Sequence, residues 1–181
     1  MIEDEEIYVS VDIEASGPVP GDYSLLSIGA CLVKRPEERF YRELQPISNN
    51  FVPDALKISG LSMPKLARIG TAPQEAMRGF GDWVQESSTD GQPVMVAFNA
   101  AFDWSFVNWY FVHFEVPNPF GIGAVDIKSY YMGLSGASWS DSRSSEIPDA
   151  YHSSARHTHN ALDDAIEQAS MFARMLASRR R

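Results

Sequence analysis

The side chains best equipped for chemistry in this 181-residue chain fall in three short stretches: "VDIEASG" at 11–17, "FNAAFDW" at 98–104 and "HTHNALDDA" at 157–165. Asp12 and Glu14 stand two residues apart, so in an extended strand both carboxyl groups leave the same face, roughly 7 Å apart along the chain. Two acids so placed can grip one or two hard cations, although the pair alone also fits an ordinary solvated strand edge. Asp103 falls at the expected head of a helix just after an apolar run, where sites gather at strand ends, and where an aspartate also serves as an N-cap. Asn99, four residues earlier, closes the strand and suits a turn.

In the third stretch, helical periodicity separates two adjacent aspartates. Asp163, Glu167, Ser170 and Arg174 form an all-polar row that should face water. Asp164, Gln168, Met171 and Met175 form the neighbouring row, bordering an apolar stripe of Leu162, Ile166, Ala169, Ala173 and Leu176. Asp164 is therefore expected to lean towards the protein and Asp163 away from it. Asn160 suits the N-cap, with Asp163 complementing the positive helix end. His159 lies just ahead of the helix, close enough in sequence to overhang whatever Asp164 touches. A histidine there can exchange a proton near neutral pH.

Positioning these groups requires strands and helices in a particular order. "IYVSVDIEA" alternates Ile7, Val9, Val11 and Ile13 against Tyr8, Ser10, Asp12 and Glu14, the period of a strand with two unlike faces. "LLSIGACLV" and "RFYRELQP" continue an antiparallel meander, since short connections favour that pairing. Short helical turns are expected over 52–70 and a better helix over 73–86. "PVMVAF" reads as a strand buried on both faces, and "FDWSFVNWYFVHF" as the apolar helix after it. "GAVDIKSYYMGL" repeats the theme, with Asp126 capping its helix. Residues 135–158 lack periodicity and read as a long loop, and the last helix starts at Ala161. A meander followed by alternating strand and helix gives a mixed sheet covered by helices on both faces.

Composition narrows the chemistry further. The chain is 44% hydrophobic, enough for one core, so a single globular domain over 1–181 is expected. No apolar run reaches the ~18 residues that span a bilayer, and the acidic start "MIEDEEIYVS" is unlike a secretory signal, so the expected location is the cytoplasm, with no membrane partner. Cys31, the single cysteine, reads as a small core residue. A formal net charge of -9 argues against passive neutralisation of phosphates by Lys and Arg. Clustered carboxylates repel unless cations sit between them, and oxygen donors suit Mg²⁺ or Mn²⁺ better than zinc. Bound metals would let an acidic protein hold phosphate.

The three stretches resemble the three motifs of the DEDDh family of 3′-to-5′ exonucleases in order and interval, over nearly the whole chain. The resemblance implies a ribonuclease-H-like α/β fold, a mixed five-stranded sheet with an antiparallel meander followed by parallel strands, flanked by helices. It implies phosphodiester hydrolysis from the 3′ end of single-stranded DNA or RNA, with release of nucleoside 5′-monophosphates. On matching positions Asp12, Glu14, Asp103 and Asp164 would hold two Mg²⁺ or Mn²⁺ ions, Asp12 bridging them. His159, five residues before Asp164, would be the general base. Phe98 stands where the family's middle motif often begins with a histidine. "ISGLSM" resembles a family segment that places Gly60 and Leu61 near the 3′-terminal nucleotide, and Ser16 and Gly17 would offer backbone groups beside it. Asn99 joins these as a substrate contact. Arg143, Arg156 and His157 are candidate phosphate contacts, and Phe102, Trp104 and Trp139 candidate base-stacking rings. Similarity to some members also allows a homodimer.

Two other readings compete with hydrolysis at an acidic metal centre. A zinc hydrolase would use His152, His157 and His159. A catalytically silent module would keep the fold for binding nucleic acid or protein, with no use for the complete acid set.

Overall fold

A computed structural model describes residues 5–152 and 158–179 of the chain. Five strands, β1 (Glu5–Ala15), β2 (Leu25–Leu32), β3 (Arg39–Glu43), β4 (Gly91–Ala97) and β5 (Val125–Asp126), form one sheet in the order β3-β2-β1-β4-β5. The β1–β2 and β2–β3 pairs are antiparallel, β1–β4 and β4–β5 parallel. This is the expected meander followed by parallel strands, and it puts the acid-bearing strand at the centre of the sheet.

Six α-helices lie among the described residues: α1 (Pro53–Ser59), α2 (Met63–Ile69), α3 (Pro73–Ser87), α4 (Ala101–His113), α5 (Ile127–Ser135) and α6 (Ala161–Ser178). The alternation in β1 divides two cores. Val9, Val11 and Ile13 pack with Met77 and Phe80 of α3 and with Phe106 and Tyr110 of α4. On the other face, Tyr8 packs with Ile127, Phe172 and Met175 of α5 and α6, in a cluster that also holds Cys31. Asp12 and Glu14 share that second face, so α6 covers them and they do not form a solvated strand edge. None of the described helices is long and apolar enough to cross a membrane.

Within the segment 135–158, residues 135–152 are more ordered than the lack of periodicity suggests. Short 3-10 turns at Ser140–Ser142, Ser144–Glu146 and Asp149–Tyr151 carry buried Ser142 and Ile147, and Arg174 of α6 donates to the carbonyls of Ala150 and His152. Local sequence does not show this because the order comes from packing on α6.

One close approach aligns the two halves of the acid face. Gly29 of β2 pairs with Asp12 across the ladder, and the start of α6 rests directly on it. A Cβ at position 29 would stand 2.2 Å from the carbonyl carbon of Ala161 and from the nitrogen of Leu162. Gly29→Ala should therefore push the first turn of α6 off the sheet and destabilise the protein by about 1–3 kcal/mol. Calorimetry should register a fall of about 2–4 °C per kcal/mol, whereas an unchanged midpoint would mean that α6 is not held at this distance.

Candidate active site

The site forms where the sheet stops being paired on one side. β4 pairs with β1 only as far as Ser10, and it leaves the sheet after Ala97, while β1 runs on to Ala15. Asp12 and Glu14 lie on that unpaired extension. There the Ile13 amide donates to Asp103 Oδ1 at 3.2 Å, so a side chain from α4 takes up a donor that lies beyond the end of β4. Asp103 is only 4% exposed. Its position corrects the N-cap expectation: Ala100 is the cap residue of α4, and Asp103 sits inside the first turn. Asp126 instead caps α5 through the Ser129 amide and also accepts from the Ala100 amide, tying the starts of α4 and α5 together.

On α6, Asn160 Oδ1 accepts from the amides of Leu162 and Asp163, fixing the helix start. Asp163 is exposed and Asp164 is 1% exposed, as the rows require. The buried face is nevertheless rotated relative to the expected apolar stripe. Ala161, Asp164, Ala165, Gln168, Phe172 and Met175 are buried, whereas Leu162, Ile166 and Leu176 are only half-buried. Small residues at 161 and 165 let the helix lie close on the sheet, and this brings Asp164 nearer the middle of the contact than hydrophobicity alone implies.

Gln168 is a site residue to which the sequence reading gave no role. Its Oε1 accepts from the Phe98 amide at 2.9 Å, and its Nε2 donates to Asp12 Oδ1 at 2.6 Å. A backbone N–H can only donate, so the amide oxygen must face Phe98 and the NH₂ group must face Asp12. Only the placement of Gln168 one turn after Asp164 on the same row hinted at this.

His159 is held beside the acids. It has a φ of 55°, a left-handed conformation uncommon outside glycine. The neighbouring Thr158 amide donates to Asp164 Oδ1 at 2.9 Å, and the Thr158 hydroxyl donates to Asp163. Ligand atoms of Glu14, His159 and Asp164 lie within 4.8 Å of one another. Asp12, Glu14, Asp103 and Asp164 line one cleft with Ile13, Phe98, Asn99 and Phe102.

Burial and mutual repulsion set the electrostatics. Burial first, then the charges of Asp103, Asp164 and Glu14, push Asp12 well above the usual carboxylate range, with Gln168 opposing. Burial and then Asp164 push Glu14 up to about 7. Burial also raises Asp103, against hydrogen bonds from its own amide and that of Ile13. An oxygen-rich, mutually repelling set of this kind suits a hard divalent cation.

The other expected site residues are placed differently. Asn99, with a φ of 60°, is exposed in the wall of the cleft. Ser16 is not open to a ligand: its hydroxyl donates to the Asn50 carbonyl and accepts from the Ser24 amide, its amide donates to the Ser24 carbonyl, and its carbonyl accepts from Val52. Gly17 is buried under the Tyr23 ring, which an added Cβ would overlap at 2.1 Å. Both residues hold the β1–β2 connection in place. Gly60, the left-handed C-cap of α1, is exposed, and Leu61 packs beside Leu26, Met63 and Leu66; neither lines the acid cleft. Arg156 and His157 lie outside the described residues. His152 Nε2 is 3.1 Å from the Ile147 carbonyl oxygen, and among the described residues His159 shares a possible metal group with Glu14 and Asp164 and not with His152. Phe102 is 41% exposed at the cleft, Trp139 is 61% exposed, and Trp104 is half-buried against the core.

No protein-family model matches the sequence. The chain is 49% identical over 170 residues to the 3′-5′ DNA exonuclease Cap18 of Escherichia coli, covering 93% of this chain and 91% of that protein. Its fold is similar to the nuclease domain of 3′hExo, a DEDDh family member bound to rAMP, with a TM-score of 0.76 at 14% identity over 95% of this chain and 92% of that one. It is also similar to the Mg²⁺- and Mn²⁺-bound form of S. pombe Pop2p (TM-score 0.67, 16% identity, 92% and 81% coverage). A further similar structure is E. coli Exonuclease I in complex with a dT13 oligonucleotide (TM-score 0.69, 14% identity, 93% and 40% coverage).

The raised carboxyls have a measurable consequence for stability. Between the ordinary carboxylate range near ~4.3 and Glu14's value of about 7, the folded protein binds more protons than the unfolded chain. That stability is present at low pH and is lost as pH rises through this window. The metal-free melting temperature should thus fall from pH 5 to pH 8, with millimolar Mg²⁺ flattening the decline, and Glu14→Gln should stabilise the metal-free protein by roughly 0.5–2 kcal/mol. A metal-free midpoint that instead rose with pH would contradict the crowding of these acids.

Proposed function

The chain belongs to the DEDDh family of 3′-to-5′ exonucleases, and on that premise we propose that it hydrolyses single-stranded DNA from the 3′ end, releasing nucleoside 5′-monophosphates. The observation that carries this reading is the meeting of Asp12, Glu14, Asp103, Asp164 and His159, from three distant stretches of sequence, at one open cleft. The choice of DNA over RNA follows the 49%-identical relative, which is named a DNA exonuclease.

Asp12, Glu14, Asp103 and Asp164 hold the metal in this reading. Two Mg²⁺ or Mn²⁺ ions would supply the positive charge that draws a phosphodiester to an acidic protein and that offsets charge building on the leaving 3′ oxygen. His159 accepts, at a ring nitrogen, the proton of the water that attacks phosphorus, a role typically contributing about 10²–10⁴-fold. Glu14 and Asp164 lie within 4.8 Å of its ring nitrogen, which places His159 beside the metal-holding acids. Gln168 keeps Asp12 turned into the cleft, and the Thr158 amide does the same for Asp164. Phe102 and Asn99 form the wall along which the substrate approaches.

A 5′-labelled single-stranded oligonucleotide incubated with Mg²⁺ should shorten from its 3′ end, more rapidly for DNA than for RNA; intact substrate across a pH and metal series would sink the assignment. Asp164→Asn should abolish turnover, while Asp163→Asn should leave it within a few-fold. Equal losses in the two variants would refute the separation of their roles. His159→Ala should lower kcat by about 10²–10⁴-fold with Mg²⁺ binding retained in calorimetry.

A further inference from the structure

Beside the acid cleft, between α5, the 3-10 turns and α6, lies a cavity of about 450 Å³ whose wall shares Asp12, Phe98 and Asn99 with the cleft. Lys128 and Arg143 supply its cations, and Glu167 and Gln168 complete the α6 side. Lys128 is only 6% exposed. Its Nζ stands 3.4 Å from the centre of the Trp139 ring, and among the described residues it makes no ion pair and no hydrogen bond. Its stem is buried while the ammonium group keeps access to the cavity, so its donors are open to a ligand. Lys128 is also the second residue of α5 and so lies at the positive end of that helix, where a further cation is disfavoured. A cation kept at the positive end of a helix, with its donors facing a cavity next to a phosphodiester-cleaving centre, fits an anionic ligand.

The chemistry of a 3′ end decides which anion it is. The terminal nucleoside contributes one phosphate, the scissile one, and ends in a hydroxyl. Every further phosphate lies upstream, towards the 5′ end. Cations set apart from the acid cleft therefore have nothing to bind on the terminal side. We propose that Lys128 and Arg143 bind the phosphodiester one nucleotide upstream of the scissile bond, so that the cavity between α5 and α6 holds the nucleotide that becomes the new 3′ end. This inference rests on the exonuclease reading.

Three substrates test it: single-stranded DNA, the same DNA with a neutral methylphosphonate at the upstream linkage, and the p-nitrophenyl ester of thymidine 5′-monophosphate, which has no upstream nucleotide. Lys128→Met should raise KM for native DNA by about ten-fold or more, add nothing to the defect of the methylphosphonate DNA, and leave hydrolysis of the ester unchanged. The slope of log KM against log salt should shrink by about 0.7 for the lost phosphate contact. Arg143 is exposed, so Arg143→Gln should show the same selectivity without threatening the fold. Equal losses on all three substrates in either variant would overturn the proposal and leave Lys128 a structural residue. A wild-type protein inert towards both DNA and ester would sink the exonuclease reading instead. Fluorescence anisotropy of bound oligonucleotide would still report on Lys128, and unchanged affinity in Lys128→Met would overturn its role.

Discussion

Carboxylates packed into a buried cleft repel one another, and the surroundings of Asp12 are arranged to hold them together despite it. Asp12 and Glu14 cannot separate because they are fixed on one face of a central strand, with β2 paired along its whole acid-bearing stretch. Asp103 is anchored by the Ile13 amide, and Asp164 by the Thr158 amide, so each acid from outside the strand accepts a backbone hydrogen bond as it enters the cluster. Packing resists the remaining repulsion. Gly29, directly across from Asp12, removes the side chain that would otherwise lift α6 away. The site is thus a region of stored electrostatic strain supported by the sheet and by the best-packed helix. In proteins such strain gathers where function requires it.

The same arrangement reconciles an acidic chain with a polyanionic substrate. With a net charge of -9, long-range attraction does not favour nucleic acid, and every local positive charge counts. Divalent cations held at the acid cleft would invert the sign of the field there. Lys128 and Arg143, in the wall of the cavity beside it, would extend that positive surface. Affinity built from a few local charges depends less on salt than affinity spread over a basic face, because fewer counterions are released.

Much of this organisation was legible in the sequence, for identifiable reasons. The alternation in β1 placed Asp12 and Glu14 on one face, because strand geometry has a strict period of two. Helical rows separated Asp163 from Asp164 for the same kind of reason. What the sequence could not show depends on partners far along the chain. Gln168 meets an aspartate 156 residues away, and nothing near either residue announces it. Asp103 looked like a cap because the local preference of aspartate is real, but a strand amide 90 residues away claimed it instead. Ser16 and Gly17 followed Glu14 so closely that a ligand-facing role was natural. Tertiary packing turned both of them inward, to support the loop that ends β1.

Phe98 shows how the site tolerates a departure from its family's pattern. The middle motif often begins with a histidine, and an imidazole lost next to metal-binding acids would ordinarily suggest a damaged centre. In this protein the main-chain amide of residue 98 is linked to Asp12 through Gln168. Its N–H fixes the orientation of the Gln168 amide, and Gln168 in turn fixes Asp12. Any residue except proline supplies that N–H, so the side chain is free to serve the two cavities whose walls it shares. A large, uncharged ring at that boundary adds no ligand atom to the acid cluster, and under the proposed substrate path it would give the adjoining cavity a face on which a base can rest. The departure at position 98 therefore leaves intact the chain of hydrogen bonds that orients Asp12.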